Sequence, residues 1–149
     1  MYSDESRFDR RALLVGGAAL AALGSTRTAS AAADPHQGHH ATHATLARAA
    51  LDCVARGDAC TAHCLADLRA GHTELAQCAS AVEELVVACR ALARLAALGS
   101  EQLPRFAAAT AEICKACEVE CRKHEKHAPC KACAEACAKC IEECKAASA

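Results

Sequence analysis

Cysteine is the residue type in this chain with the greatest capacity for chemistry. Thirteen of the 149 residues are Cys, which is far above the usage of an ordinary globular domain. Thiolates are strong ligands of soft metal ions, including Cu(I), Zn²⁺ and the iron of Fe–S clusters. The sequence therefore first indicates metal chemistry, and the candidate ligands are Cys53, Cys60, Cys64, Cys78, Cys89, Cys114, Cys117, Cys121, Cys130, Cys133, Cys137, Cys140 and Cys144.

The composition favours helices as the elements that position these thiols. Alanine, the strongest helix former, accounts for 40 residues, whereas the chain has no Trp, one Tyr and two Phe. Strands draw on aromatic and β-branched residues, so an all-α class is predicted. The formal net charge of −1 gives no electrostatic reason to expect binding to nucleic acid or to an anionic membrane.

Glycine, serine and proline divide the chain into four helical runs. Gly71 and Gly99 close the first two runs, and Pro129 fits the opening turn of the fourth. We expect Thr73 to cap the second run and Ser100 the third. Because short connections make neighbouring helices antiparallel, this pattern predicts an up-down-up-down four-helix bundle over residues 45–149. The predicted helices are Thr45–Ala70, Glu74–Leu98, Glu101–Glu125 and Pro129–Ala147.

The spacing places all thirteen thiols on inner faces of the bundle, which gives a Cys-lined core. Alternating steps of three and four residues define each inner face, and the five Cys of the fourth run occupy its entire inner face. Gly57, next to Asp58, predicts a kink or a break in the first run. The second and third runs are predicted to turn inward Leu75, Cys78, Val82, Leu85, Cys89, Leu92, Leu103, Ala107, Thr110, Cys114, Cys117, Cys121 and His124.

Disulfides fit this pattern poorly. Thirteen is an odd number, so at least one thiol would stay unpaired. Several Cys pairs, such as Cys60 with Cys64, are four residues apart on one helix, where Cβ atoms are ~5–6 Å apart. A disulfide needs ~3.5–4.5 Å between Cβ atoms. A metal ion held between two thiolates spans the gap more naturally.

Charge favours Cu(I) among the soft ions. A zinc site with four thiolates carries a net charge of about −2, and several such sites would bury uncompensated charge at high cost. One Cu(I) per thiolate leaves the core neutral at any loading. A zinc-binding thiol protein, an Fe–S or thiol redox protein, and a structural bundle that uses Cys as a small apolar residue remain alternatives.

The N-terminal third has the pattern of an export signal followed by a His-rich segment. Arg10 and Arg11 precede about a dozen apolar residues, and small residues near Ala33 fit a cleavage site. Residues 1–33 are therefore predicted to be a twin-arginine-like leader that is removed, which places the mature protein in the periplasm or elsewhere outside the cytoplasm. Residues 34–44 form the His-rich segment, whose candidate copper-capture residues are His36, His39, His40 and His43.

With this leader and the repeated C-x-x-x-C spacing, the chain resembles the exported branch of the bacterial Cys-rich four-helix-bundle copper storage proteins. The resemblance covers the whole predicted mature chain. It implies Cu(I)–thiolate sites along the bundle, with the Cys residues as ligands, and assembly into a homotetramer. Exported relatives can carry N-terminal Met residues, but the sole Met here is Met1, and histidines occupy that region instead.

The predicted function is therefore non-catalytic storage or sequestration of many Cu(I) ions per chain. Partners would be copper ions and copper-requiring enzymes or copper chaperones, with no nucleic acid and no membrane for the mature protein. Helix direction also predicts an entrance, since one end of the bundle carries the candidate ligands His63, His72, His124 and His127. The opposite end is predicted to be an aliphatic plug made of Leu46, Leu92, Leu95, Leu98, Leu103 and Phe106.

Overall fold

A computed structural model of the protein describes residues 43–149, and this part of the chain is all-α with no strand. The predicted export signal and His36, His39 and His40 lie outside the described residues. Among residues 43–149, no helix is both long enough and apolar enough to span a membrane. The helices are α1 (Ala44–Arg69), α2 (Ala76–Leu98), α3 (Leu103–Arg122) and α4 (Ala128–Ser148).

The four helices pack as a closed ring around one core. Each helix contacts the helices before and after it, and α4 closes the ring by packing on α1. Neighbours run in opposite directions, because Cys53 lies beside Cys89 while Cys60, further along α1, lies beside the earlier Cys78. The predicted four-helix bundle is confirmed.

Two glycines end the first two helices as predicted. Gly71 has φ +88° and Gly99 has φ +58°, a left-handed conformation that L side chains disfavour. Beyond them, the His72 N–H donates to the Asp67 carbonyl and the Ser100 N–H to the Leu95 carbonyl, each at 3.1 Å. These bonds satisfy carbonyls that the helix ends would leave unpaired.

The predicted N-terminal caps are wrong in detail. Neither α2 nor α3 has a side-chain cap, and α2 begins at Ala76 after a turn in which the Thr73 carbonyl accepts the Ala76 N–H. Before α3, the Ser100 carbonyl accepts the Leu103 N–H at 2.9 Å, and Ser100 Oγ accepts the Gln102 N–H at 3.2 Å. In these turns, backbone carbonyls accept the N–H groups that capping side chains were expected to bind. Both helices start two residues later than predicted.

Gly57 does not break α1, which is continuous from Ala44 to Arg69. The glycine lies buried against α2, and a Cβ atom built on it would be 2.6 Å from Val86 Cγ2 and 3.4 Å from Val82 Cγ1. The predicted break is therefore wrong. Gly57 serves the close approach of two helices, which a larger side chain would obstruct.

The core has a cysteine zone and an aliphatic zone. The aliphatic zone lies where α1 and α3 begin and α2 ends, and its members are Leu46, Ala50, Leu92, Leu103 and Ala107, each at most 2% exposed. At the boundary, the buried Thr110 hydroxyl donates to the Phe106 carbonyl at 2.9 Å. Leu95 and Phe106 are only partly buried, and Leu98 is 62% exposed. Leu98 is therefore not part of the plug, because it follows the last buried turn of α2.

Candidate metal centre

All thirteen thiols lie in the core. Each of the thirteen Cys residues is 0% exposed, and each is a free thiol. Helix periodicity explains this arrangement, since steps of three and four residues return a side chain to the same helix face. The other predicted inward positions of α2 and α3 are also buried, except His124, which follows the end of α3 and is partly exposed.

Twelve of the thiols form four groups in which all sulfur atoms lie within 4.8 Å of one another. One group takes one thiol from each helix. A second lies nearer the His-bearing end of the bundle, a third joins α1, α3 and α4, and the fourth joins α3 and α4. The groups are Cys53, Cys89, Cys114 and Cys140; Cys60, Cys64, Cys78 and Cys130; Cys60, Cys121 and Cys133; and Cys117, Cys133 and Cys137.

Three of the four groups overlap, whereas the group of Cys53, Cys89, Cys114 and Cys140 shares no thiol with the others. Cys60 and Cys133 each belong to two groups. The remaining thiol, Cys144, is attached through Cys140, with their Sγ atoms 4.0 Å apart. A bridging thiolate is one way for metal ions to share a ligand, so this overlap suits a multinuclear metal assembly better than isolated mononuclear sites.

The sulfur separations fit a thiophilic metal ion. Close Sγ pairs include Cys60 with Cys130 at 3.6 Å and Cys78 with Cys130 at 4.0 Å, and all sulfur atoms of a group lie within 4.8 Å of one another. With a metal–sulfur bond of about 2.3 Å, sulfur atoms around one ion lie about 3.8 Å apart in a tetrahedron and about 4.0 Å apart in a trigonal plane. The thiols are thus spaced for either geometry, and distance does not distinguish zinc from Cu(I).

Charge distinguishes the two ions better than distance. The buried polar or charged residues of the described chain are Thr110 and Glu118, and neither is a cation. Zinc in a four-thiolate group would leave about two negative charges without a buried counter-ion. With one Cu(I) ion per thiolate, no negative charge is left uncompensated.

The pKa values of the individual thiols are shifted in different directions. Burial raises the pKa of Cys64 to about 12 and that of Cys130 to about 11, because an apolar environment disfavours the thiolate. Hydrogen bonds from neighbouring thiols lower the pKa of Cys78, Cys133 and Cys140. Every group contains one of these three thiols.

Glu118 is a buried charged residue that the sequence analysis did not identify. Its carboxylate accepts hydrogen bonds from Arg122 at 2.7 Å and from Lys115 at 3.3 Å. Burial opposes ionisation of Glu118, but these two cations outweigh it and lower its pKa. The signal that could have found it is the spacing of three and four residues from Glu118 to its partners.

The predicted entrance histidines lie together. His63 Nε2 and His127 Nδ1 are 3.0 Å apart, which joins α1 to the start of α4. His127, His124 and His72 line one surface pocket of about 310 Å³ together with Asp67, Glu74, Leu75 and Lys126. His72 Nδ1 also lies 3.5 Å from a carboxylate oxygen of Asp67. The structure therefore brings all four predicted histidines to one end of the bundle.

His43, by contrast, lies at the other end. It precedes α1 and lines a pocket of about 230 Å³ between the start of α1 and the end of α4, where Leu46 and Glu143 also line the pocket. His36, His39 and His40 fall outside the described residues. His43 is thus separated from the four histidines at the predicted entrance by the length of α1.

Comparisons with known proteins agree with the thiol-lined bundle. The family described as "Csp: Copper storage protein" matches residues 39–149. The chain is also similar to a protein of Bacillus subtilis (strain 168) named "Uncharacterized cysteine-rich protein YhjQ", with 33% identity over 101 residues, 68% of this chain and 91% of the relative. Because the family match covers the whole described bundle, this chain belongs to the copper storage protein family.

Proposed function

We propose that this protein stores many Cu(I) ions on the thiols of its core, and that it is a store rather than an enzyme. The observation that carries this proposal is the overlap of three of the four thiol groups through Cys60 and Cys133, in a core where no cation is buried among residues 43–149. Soft thiolates select Cu(I), and bridging ligands allow loading by successive ions. Membership of the copper storage family supports the same function.

The direct test is a titration of the reduced protein with Cu(I) in the presence of a competing Cu(I) chelator. The expected stoichiometry is well above four ions per chain and approaches the number of thiols. The matched control is the same protein after complete thiol alkylation in denaturant, removal of the reagent and dilution. Saturation at one or two ions per chain would exclude storage.

Zinc is the second candidate ligand. Two groups contain four thiols each, and both have sulfur separations that suit a tetrahedral ion. A parallel titration with Zn²⁺ separates the two possibilities. Displacement of all bound Zn²⁺ by a small excess of Cu(I), with further Cu(I) binding afterwards, supports storage of Cu(I). A colourless complex that takes up only two Zn²⁺ and resists Cu(I) supports a zinc protein, and a brown protein on purification supports an Fe–S protein.

We infer that the chain is exported by the twin-arginine route and works outside the cytoplasm, for copper supply or detoxification. The support is the sequence of residues 1–33, with Arg10 and Arg11 before an apolar stretch. Cell fractionation tests this. Replacement of both arginines by Lys should retain the uncleaved chain in the cytoplasm, whereas replacement of Arg7 and Arg27 by Lys is the control.

We place the copper entrance at the end that carries the four histidines. His63 and His127 are in contact, and His72, His124 and His127 share a pocket. Neutral imidazole is a metal ligand, so these side chains can receive Cu(I) and pass it to the first thiols. Capture of copper by His36, His39 and His40 would precede this step, whereas capture by His43 would take place at the opposite end of the bundle.

We further infer a homotetramer. An apolar surface groove of about 520 Å³ lies between α2 and α3, lined by Val87, Ala88, Phe106 and Ile113 with Glu83 and Glu84 at its edge. Val87 is 69% exposed, and exposed apolar patches often mark protein contacts. Sedimentation should give four chains for the natural protein and smaller species for Val87→Glu. Leu51→Glu, a change at another exposed apolar residue, is the control.

A further inference from the structure

The thiols divide into two sets along the bundle axis. The outer set contains the eight thiols nearer the histidine end, and the inner set contains the other five. Each group of three or four sulfur atoms in residues 43–149 lies wholly within one set. The outer set is Cys60, Cys64, Cys78, Cys117, Cys121, Cys130, Cys133 and Cys137, and the inner set is Cys53, Cys89, Cys114, Cys140 and Cys144.

An aliphatic layer separates the two sets on the α1–α2 side of the core. Neither helix has a Cys at this level, since α1 skips from Cys53 to Cys60 and α2 from Cys78 to Cys89. The level is filled instead by Val82, Leu85 and Val86, whose side chains surround the position of Gly57. All three are at most 6% exposed. Aliphatic side chains offer no ligand to a metal ion, so this half of the core is closed to copper movement.

On the α1–α4 side of the bundle, an outer thiol, Cys137, lies near an inner thiol, Cys53. Cys137 belongs to the outer group with Cys117 and Cys133, and its thiol also influences the pKa of Cys53 in the inner group. Cys53 in turn groups with Cys89, Cys114 and Cys140. One path for copper between neighbouring sulfur atoms thus runs from the outer set to the inner set across Cys137 and Cys53.

The inner set is closed at its other end. All five inner thiols are 0% exposed, and the aliphatic zone with Leu46, Leu92 and Leu103 lies beyond them. The outer set, by contrast, extends to the helix ends beside the histidines, because Cys121 and Cys130 are within a few residues of His124 and His127. Every thiol of both sets is 0% exposed, and the sets differ in their distance from the end of the bundle that carries the histidines.

We propose that the core holds two pools of Cu(I) that exchange at different rates, a fast outer pool and a slow inner pool joined by transfer between Cys137 and Cys53. This inference rests on the proposed storage of Cu(I). In the transfer step a Cu–S bond forms at Cys53 and one breaks at Cys137, while the Cys53 proton moves to the Cys137 sulfur. Copper remains Cu(I), and the charge of the pair does not change.

The test follows removal of Cu(I) from fully loaded protein by excess bathocuproine disulfonate, a chelator whose Cu(I) complex is coloured. The expected time course has two phases, with the larger amplitude in the fast phase, in the ratio of the two thiol sets. Cys137→Ala and Cys53→Ala should each slow the second phase at least about tenfold, which is a modest rise in the activation barrier. Helical content by circular dichroism confirms that each variant folds.

The matched control is Cys144→Ala, which removes one inner thiol away from the transfer contact. It should reduce the amplitude of the slow phase and leave its rate constant within about twofold of the natural protein's, a change of well under one kcal/mol in the barrier. A single phase in the natural protein, or equal slow-phase rates for Cys137→Ala, Cys53→Ala and Cys144→Ala, would overturn the two-pool inference. If either result is found while the protein still binds nearly as many Cu(I) ions as it has thiols, the storage proposal is unaffected. A capacity of only one or two Cu(I) ions per chain would refute the storage proposal itself.

Discussion

Gly57 and Val86 hold α1 and α2 in direct contact, since a Cβ atom on Gly57 would lie 2.6 Å from Val86 Cγ2. Gly57 is at the inward-facing position between Cys53 and Cys60 on α1. The close approach of the two helices therefore helps to determine how near the α1 thiols come to Cys78 and Cys89.

This contact predicts that Gly57→Ala destabilises the copper-free protein. Overpacking of a core costs about 1–3 kcal/mol, and the better helix propensity of Ala returns about 1 kcal/mol. We expect a net loss of about 1 kcal/mol in the free energy of unfolding, measured by denaturant titration. In the Val86→Ala background the clash is absent, so the same substitution should be neutral or stabilising. Equal effects in both backgrounds would contradict the packing explanation.

A second prediction concerns the histidine end. Replacement of His72, His124 and His127 by Ala should slow Cu(I) uptake and removal while the capacity stays near the thiol count, because the imidazoles lie at the mouth and the thiols hold the store. Stopped-flow mixing with a Cu(I)–chelator complex measures these rates. Leu98→Ala, at the opposite end of α2 and 62% exposed, is the control. Slower copper exchange in the control and unchanged exchange in the triple variant would show that copper enters at the opposite end of the bundle.

A third prediction is that Cu(I) raises the melting temperature progressively with loading. A core rich in Cys and Ala buries less apolar area than one rich in Leu, so moderate stability is expected for the copper-free form. A ligand that binds only the folded state adds about 2.7 kcal/mol when its free concentration is 100 times Kd. Calorimetry at several loadings measures the shift. An unchanged melt at full loading would show that copper binds outside the folded core.

The fourth prediction concerns Glu118. Its side chain is 10% exposed and pairs with Arg122 and Lys115, so Glu118→Ala leaves both cations without their partner. We expect a loss of about 1 kcal/mol in the free energy of unfolding, typical of a partly buried charged hydrogen bond. Asp52→Ala removes an exposed pair with Arg56 and should change stability by less than about 0.5 kcal/mol. Losses of equal size would mean that burial of Glu118 adds nothing.

Much of the fold could be predicted because periodicity is a local property. The spacing of Leu, Val and Cys identified the inner faces, and Gly71, Gly99 and Pro129 marked helix ends that the structure confirms. The meaning of Gly57 was not predictable in the same way. From the sequence alone, a glycine inside a helix indicates a local weakness of that helix. Its packing role becomes visible only with the partner helix, whose Val86 is 29 positions away in the sequence.

The grouping of the thiols was also beyond the sequence. Periodicity shows that Cys60 and Cys130 face inward, but their 3.6 Å separation depends on the axial offset of α1 and α4. That offset is determined by the geometry of the turns and by packing between the helices, which includes the contact between His63 and His127. The overlap of groups at Cys60 and Cys133, and the division at Cys137, follow only from these offsets.

The double membership of Cys60 and Cys133 has a consequence for how loading is measured. When two ions share a sulfur atom, the first alters the coordination left to the second, so their equilibria are not separable. Partly loaded protein is then a population of different arrangements with the same copper content. A titration curve of such a protein cannot be fitted as thirteen independent sites with one affinity each, and its midpoint reports the statistics of the whole array.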